Sequence, residues 1–139
     1  MRINQITDRI IASAIEVHRA LGPGLLESAY TKCLGFEFEE RGLSFEQQIW
    51  LPLKYKSHEI PYAYRMDFVV EKQVVVEIKT VQKLTDLDSA QVLTYLKLSG
   101  YKVGLILNFK VPILIQGIRR LVLNLPEDSA TPRLCGELP

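Results

Sequence analysis

Three ionisable residues, Asp67, Glu77 and Lys79, lie in the otherwise largely apolar segment Tyr64–Thr80. Two carboxylates close together repel each other unless a cation lies between them or one of them is protonated. Carboxylate oxygens suit a hard divalent ion, most naturally Mg²⁺ with Mn²⁺ as the alternative. A lysine beside that ion could orient or deprotonate an attacking water, or offset charge on a phosphate. These residue types indicate metal-assisted hydrolysis of a phosphodiester bond.

The spacing of apolar residues brings the two carboxylates together on neighbouring strands. Alternation on both sides of Glu71-Lys72-Gln73 predicts an antiparallel hairpin. With this three-residue turn Asp67 lies opposite Glu77, and their Cβ atoms are about 4.5–5.5 Å apart. A two-residue turn at Glu71-Lys72 would send Glu77 to the other face, so the pattern favours the longer turn. The alternative interpretation is a solvated sheet face with cross-strand ion pairs.

The remaining segments predict the elements that would position this hairpin. Helical periodicity with Gly and Pro breaks predicts a helix from Ile3 to Leu21, with Asn4 as its cap, and a second helix Leu25–Arg41 ended by Gly42. Alternating residues then predict strands around Ile49–Tyr55, Tyr62–Val70 and Gln73–Thr80. A third helix follows from a Thr85/Asp88 capping box to Leu98, ended by Gly100, and the last predicted elements are the strands Val103–Asn108 and Ile118–Leu125. This order predicts an α/β fold whose mixed sheet, an antiparallel three-strand meander plus the following strands, is flanked by helices.

Two finer expectations concern the faces of these elements. Met66 is expected to share a strand face with Phe68 and Val70, opposite Asp67. Pro52 cannot donate a ladder hydrogen bond, so its strand is expected at an edge of the sheet. The second helix is expected to bury one stripe of side chains, Leu26, Ala29, Cys33 and Phe36.

The composition is that of one globular domain with no strong charge bias. The chain has 139 residues and a formal net charge of +1, so overall charge gives no argument for a nucleic-acid partner, and any such contact must rest on local cations. Cys33 and Cys135 fit neither a disulfide framework nor a zinc site, which favours the cytoplasm. The apolar runs are too short for a membrane span of about 20 residues. We expect residues 1–125 to form a single domain and residues 126–139 a loosely structured tail.

Five further residues could support the polar hairpin. Glu27 lies near the apolar stripe of the second helix, with Tyr30 three residues later. Gln91 and Tyr95 form an i, i+4 pair that could hold the metal ligands, the lysine or a nucleic-acid backbone, although a polar pair at a core edge is the plainer interpretation. His18 is better explained as a half-buried structural histidine and is only a secondary candidate for a metal ligand.

The segment Gly24–Tyr30 reads GxxExxY. Together with His18, Leu21–Gly24, Asp67 and Glu77-Ile78-Lys79, it resembles the GxxExxY protein family, which is assigned to the PD-(D/E)XK nuclease superfamily. The resemblance extends from about residue 6 to residue 123. It implies a restriction-endonuclease-like core made of a helix, three antiparallel strands, a helix and a strand.

The resemblance also implies roles for individual residues. Asp67 and Glu77 would bind the metal together with the backbone carbonyl of Ile78, Lys79 would be the active-site lysine, and Glu27 would be an extra acidic residue from the first core helix. Met66 stands where the superfamily name implies a proline. The remaining residues match the QxxxY motif of the RecB-like branch or the GxxExxY segment and would support the site or contact the substrate: Gln91, Tyr95 and Tyr30.

These features predict a Mg²⁺-dependent nuclease that acts on DNA. One alternative is a nucleic-acid-binding or accessory subunit that keeps the nuclease fold without cleaving, since the basic residues are scattered along the chain. Another is a structural domain whose polar hairpin is coincidental. Exposed edges near Pro52 and the apolar loop Val111–Ile115 would support a homodimer. No membrane partner is expected.

Overall fold

The computed structural model describes residues 1–124 and 133–134. Its helices and strands follow the predicted order, with one short 3₁₀ helix and one two-residue strand in addition. They are α1 (Ile3–Leu21), α2 (Glu27–Glu40), β1 (Phe45–Tyr55), β2 (His58–Val70), β3 (Val74–Lys79), α3 (Asp86–Ser99), β4 (Val103–Asn108), the 3₁₀ helix (Leu114–Gly117), β5 (Ile118–Asn124) and β6 (Arg133–Leu134). Apart from β6, the predicted tail at 126–139 lies outside the described residues. No helix in the described ranges combines the length and apolar character needed to cross a bilayer.

The strands form one mixed sheet in the order β1-β2-β3-β4-β5-β6. β3 and β4 pair in parallel, whereas the other neighbours are antiparallel. The parallel pair requires a crossover, which α3 provides. This arrangement confirms the predicted α/β fold with a restriction-endonuclease-like core. β1 is an edge strand, as Pro52 predicted, and its register shifts between Leu51 and Leu53.

Two apolar layers cover the two faces of the sheet. One layer packs α1 and α2 against residues such as Phe68, Val76 and Leu105, and the other packs α3 against residues such as Val75 and Ile106. β3 and β4 are buried on both faces, which explains their near-continuous runs of Val, Ile and Leu. A charged side chain on β3 must therefore sit inside the protein, where a charge without a partner is costly.

The hairpin between β2 and β3 has the predicted three-residue turn. Val70 pairs with Val74, and the ladder continues to the pair Phe68 and Val76. Glu71 and Lys72 adopt positive φ angles of 54° and 55°, which close the turn at these two polar residues. The register places Asp67 at the position that follows the last ladder pair, opposite Glu77, as the sequence predicts.

The face of Met66 differs from the prediction. Met66 packs with Val69 and Val75 in the α3 layer, whereas Phe68 and Val70 lie in the α1–α2 layer. The alternation of β2 therefore slips by one residue at Asp67, where the ladder with β3 stops. Strict alternation holds only while a strand keeps its regular pleat, and the strand departs from it here to turn a carboxylate towards its neighbour.

Two predictions about the helices are wrong in detail. Asn4 does not cap α1, because the side chain of Gln5 accepts a hydrogen bond from the Arg2 N–H at 2.9 Å and the helix begins before Asn4. The buried face of α2 is not the predicted stripe, since Leu26 and Phe36 are 77% and 56% exposed. The side chains that α2 buries instead are Tyr30, Leu34 and Phe38.

Aromatic packing explains this rotation of α2. Tyr30 stacks on Phe109 with ring centroids 4.4 Å apart, and Phe38 packs edge-on against Phe45 and Phe68. Burying two large rings about two helical turns apart outweighs burying Leu26 and Phe36. The helix ends as predicted, with Gly42 at a φ of 73° just after it.

Candidate active site

Glu77 is a buried carboxylate on β3, in the interior of the sheet. Its side chain is 6% exposed. Within residues 1–124 and 133–134, its Oε1 atom is buried and has no hydrogen-bond partner. Buried polar atoms in folded proteins nearly always have a partner, and an exception calls for a functional explanation. The carboxylate therefore has one coordination position free.

Asp67 takes the place of a backbone carbonyl at the end of the β2–β3 ladder. Its Oδ2 accepts a hydrogen bond from the Ile78 N–H at 2.8 Å. This bond holds the Asp67 carboxylate at the level of Glu77 and leaves Oδ1 available. The hydrogen bond from Ile78 is made where the alternation of β2 slips, at Asp67. This local departure from a regular strand therefore places the two carboxylates next to each other.

The electrostatics of the site show carboxyl groups that resist ionisation together. Burial first, and the charge of the neighbouring Asp67 second, raise the pKa of Glu77 to about 8. Burial also raises the pKa of Asp67, against the opposing effect of its hydrogen bond from Ile78. Glu27 has a raised pKa as well, through burial first and the charge of Asp67 second. A divalent cation would relieve this repulsion and lower the pKa of each of these carboxyl groups.

Lys79 has a fixed position beside these carboxylates. Its Nζ donates a hydrogen bond to Oε1 of Gln91 on α3 at 2.9 Å and lies 3.9 Å from Oδ1 of Asp88. Lys79 also lowers the pKa of both Asp67 and Glu77 by its charge. The amide therefore orients the ammonium group without neutralising it, which leaves the charge available to an anion.

Tyr95 lies one helical turn after Gln91 and belongs to the same region of α3. It is buried, and its ring lies 5.9 Å from that of Tyr64. Burial raises the pKa of Tyr95, and the charges of Glu77 and Asp67 raise it further. Gln91 of α3 therefore contacts Lys79. Tyr95, one turn later on the same helix, lies close enough to Glu77 and Asp67 for their charges to raise its pKa.

A groove of about 750 Å³ opens between α2 and the strands β1 and β2. Glu27, at the first position of α2, lines this groove together with Arg65 and Asp67. Glu27 thus lies at the rim of the site, while Glu77 is buried in the sheet. The groove is the route by which a solvent-borne ligand can approach Asp67.

Tyr30 does not line this site. Its hydroxyl donates to the carbonyl of Gly22 and accepts from the Leu25 N–H, while its ring is buried against Phe109. A fully buried ring with its hydroxyl bonded to the loop before α2 is the geometry of a supporting residue, which is one of the two roles predicted for Tyr30. The hydroxyl holds the loop before α2 and so determines where Glu27 begins the helix.

His18 is also separate from the site. Its Nε2 lies 2.8 Å from the carbonyl oxygen of Val111, and its ring packs near Phe109. His18 lines a separate pocket with Ile15, Arg19 and residues 112–115, whereas Glu27 and Asp67 line the groove beside α2. The geometry fits a structural histidine, and its ring is buried rather than half-buried as the sequence predicted.

The remaining candidate side chains supply only part of the ligand shell of a divalent metal. In the portion of the chain that the structure describes, no three His, Cys, Asp or Glu side chains converge as a ready-made metal site. Asp67 and Glu77 supply two carboxylates, one of them with the orphaned oxygen. Mg²⁺ commonly uses one or two carboxylates and completes its shell with water and phosphate. The donor set matches that pattern.

Two residues near the site were not identified from the sequence. Arg65 lies in the groove and lowers the pKa of Glu27 and Asp67, and Asp88 approaches Lys79. The sequence feature that could have identified Arg65 is its position two residues before Asp67. Asp88 was identified only as a capping residue, and that role is confirmed by its bond from the Thr85 N–H at 2.8 Å.

Comparison with known proteins gives one match. A family model described as the PD-(D/E)XK nuclease superfamily matches residues 4–121. The matched span contains α1 to β4 and every residue described at the site. No curated protein and no solved structure matches the chain significantly.

Proposed function

Because this chain belongs to the PD-(D/E)XK nuclease superfamily, we propose that it is a metal-dependent nuclease that hydrolyses phosphodiester bonds in DNA. The observation that carries the proposal is the buried Glu77 carboxylate, whose Oε1 is without a partner among the described residues, beside Asp67 and close to Lys79. A buried carboxylate in this state costs free energy unless a ligand completes it.

We propose that Asp67, Glu77 and the backbone carbonyl of Ile78 hold Mg²⁺ or Mn²⁺, with Glu27 contributing from the rim of the groove. When bound, the metal would polarise the phosphate and lower the pKa of a water molecule. Asp67 is suited to this role because the Ile78 N–H fixes its Oδ2, which orients the carboxylate and leaves lone pairs for a metal. His18 and Tyr30 are left out of this proposal because of the bonds they make elsewhere.

Lys79 is proposed as the residue that faces the attacked phosphate. Gln91 holds its Nζ in place, and the ammonium group can orient an attacking water or offset the negative charge that grows on the phosphate. Tyr95 and Gln91 are proposed as supporting residues. Asp88 forms an ion pair with the lysine, with its Oδ1 at 3.9 Å from Nζ.

We propose DNA as the substrate because the nucleophile in this mechanism is a water molecule and not a group of the substrate. A site that activates an external water needs no 2′-hydroxyl from the substrate, so the absence of that group in DNA is no obstacle. The non-cleaving accessory subunit is the competing function, and it would keep the groove and the metal without the reaction. A reducing cytoplasm remains our proposal for its location, and the membership of the GxxExxY family remains a proposal that rests on Gly24–Tyr30.

A homodimer is also only a proposal. β1 offers an edge strand, and Ile113 and Ile115 in the loop before the 3₁₀ helix are exposed. Sedimentation at micromolar concentration tests it, and a monomer would argue against it.

The test of the proposed function is cleavage of labelled single- and double-stranded DNA by the purified protein. We expect cleavage with Mg²⁺ or Mn²⁺, none with a chelator, and none in the double variant Glu77→Ala, Lys79→Ala. The control Glu46→Gln removes an exposed carboxylate from β1 and should cleave normally. Binding without cleavage under every metal condition would favour the accessory subunit, and cleavage by the double variant would refute the site.

A further inference from the structure

The outer half of the β1–β2 hairpin carries exposed aromatic rings next to the groove. Trp50 and Tyr62 are 47% and 70% exposed, and their rings meet edge-on with centroids 5.7 Å apart. Large apolar rings that a monomeric protein leaves in solvent often mark a binding surface. Packing in the core does not explain these two rings, because they contact each other and keep 47% and 70% of their surface in solvent.

Arg65 connects this aromatic pair to the candidate active site. Trp50 and Arg65 are directly paired across β1 and β2, and the guanidinium carbon lies 5.5 Å from the centre of the Trp50 ring. Arg65 also lines the groove that contains Glu27 and Asp67. Since Asp67 follows two residues later, the aromatic pair begins roughly 6.6 Å from the carboxylate along the strand.

The charge of this hairpin is positive, unlike the near-neutral chain as a whole. Lys54, Lys56 and Arg65 accompany the aromatic residues, against the single acid Glu59 between Ile49 and Met66. A strip of cations interleaved with exposed rings is the usual surface for unpaired nucleic acid, because the cations bind phosphates and the rings stack on bases. With three cations and one acid, this hairpin carries a formal charge of +2, because acidic residues are scarce in it.

We propose that Trp50, Tyr62 and Arg65 form a stacking platform that binds a single-stranded segment of DNA and leads it into the groove. Tyr62 stacks on an unpaired base, Trp50 supports that ring edge-on, and Arg65 binds the adjacent phosphate. The inference rests on the proposed nuclease function and narrows its substrate to unpaired strands, such as single-stranded DNA or the frayed end of a duplex. Bases inside a duplex present no free face to these rings.

The binding test uses Trp50 as its own reporter, because it is the only tryptophan in the chain. The protein carries Glu77→Gln, so that binding is measured without cleavage. A single-stranded oligodeoxynucleotide should quench the tryptophan fluorescence and bind more tightly than a duplex of the same sequence. An oligoribonucleotide of that sequence is the third arm, and equal or tighter binding of RNA would overturn the assignment to DNA.

Variants of the platform test the contacts separately. Tyr62→Ala should weaken single-strand binding roughly tenfold, and Tyr62→Phe should retain it, since one stacked base contributes on the order of this factor. Arg65→Gln should lower the slope of log affinity against log salt by about 0.7, the value for one phosphate contact on a single strand. The matched control is Tyr55→Ala, which removes an exposed tyrosine from the hairpin tip, where its ring is contacted by Lys56, and should change affinity less than twofold.

The outcomes separate this proposal from the nuclease function. Equal binding by Tyr62→Ala and Tyr55→Ala, or duplex binding as tight as single-strand binding, would overturn the platform even if the wild-type protein cleaves DNA. Single-strand binding that depends on Tyr62, in a wild-type protein that never cleaves, would support the platform and reject the nuclease. Because Tyr62 is mostly exposed, its substitution should leave the melting temperature unchanged, which a thermal scan verifies.

Discussion

Two buried polar side chains on the adjacent parallel strands β3 and β4 differ in their hydrogen bonds. Asn108, at the end of β4, accepts from the Val81 N–H at 3.1 Å and donates to the Val81 carbonyl at 2.9 Å, and its Oδ1 also accepts from the Lys110 N–H. Glu77, on β3, keeps one oxygen without a partner in the described part of the chain. Both side chains are buried, so burial alone does not distinguish them.

This difference teaches which buried polar group serves the fold and which serves a ligand. Asn108 replaces backbone partners that the loop after β3 would otherwise lack, so its amide stabilises the native state. Glu77 contributes an uncompensated carboxylate that the fold alone does not need. A group retained at such a cost fits a binding role, and removing the two side chains should have opposite consequences.

The largest expected effect is the loss of cleavage on changing Glu77 to Gln. The substitution keeps the shape of the side chain and removes the charge that the metal needs, so kcat/KM should fall by at least about 100-fold, the effect of losing even an outer contact to a metal ligand. Steady-state cleavage of labelled DNA measures it. The metal-free variant should be at least as stable as the wild type. A variant that is both fully active and less stable would show that Glu77 serves the fold and not a ligand.

The next effect concerns the stability of the fold at Asn108. Asn108→Ala leaves the N–H and carbonyl of Val81 without their partner, and it should lower the free energy of unfolding by about 2 kcal/mol. Urea unfolding followed by circular dichroism measures this change. The folded fraction should still cleave DNA, because Asn108 does not face the carboxylates. A variant as stable as the wild type would show that the hydrogen bonds of Asn108 do not stabilise the fold.

The sequence predicted more of the hairpin than of its surroundings. The turn at Glu71-Lys72-Gln73 and the register of Asp67 against Glu77 follow from local spacing, which a single strand pair imposes. The slip at Met66 was missed because it depends on the hydrogen bond between Asp67 and Ile78, a contact outside the regular ladder. Periodicity assumes an unbroken strand.

The face of α2 was missed for a reason of longer range. The stacking partner of Tyr30 is Phe109, which follows β4 far along the chain, and no pattern within the helix reveals it. Helical spacing identifies which residues can share a face but not which face meets a distant aromatic ring. The role of Arg65 was missed similarly, because its value depends on Trp50 across the hairpin.

The metal-free protein should lose stability as pH rises towards 8. The pKa of Glu77 is raised to about 8 in the folded state from 4.5 in the unfolded state, so between these values the folded state binds more protons. The free energy of unfolding therefore falls on the way from pH 5 to pH 8, by on the order of 3 kcal/mol. Chemical unfolding in chelator at both pH values measures it. The dependence should be much weaker in Glu77→Gln, and an equal dependence in both proteins would assign it to other groups.

The smallest effect is expected from the side chain that holds Lys79. Gln91→Ala frees the ammonium group without removing it, so kcat should fall about tenfold, as for loss of an outer contact, with KM little changed. The control Lys97→Ala removes an exposed side chain from the same helix and should leave both constants unchanged. A change in KM alone would show that Gln91 contacts substrate instead of positioning the lysine.

The binding of a divalent metal at Asp67 and Glu77 is tested most directly by thermal unfolding with and without Mg²⁺ or Mn²⁺. A ligand that binds only the folded state stabilises it, by about 1.4 kcal/mol at ten times its dissociation constant. We predict that either metal raises the melting temperature of the wild-type protein but not that of Asp67→Asn or Glu77→Gln, while Glu46→Gln responds as the wild type does. An absent shift in the wild type, or an equal shift in Asp67→Asn, would contradict the metal site.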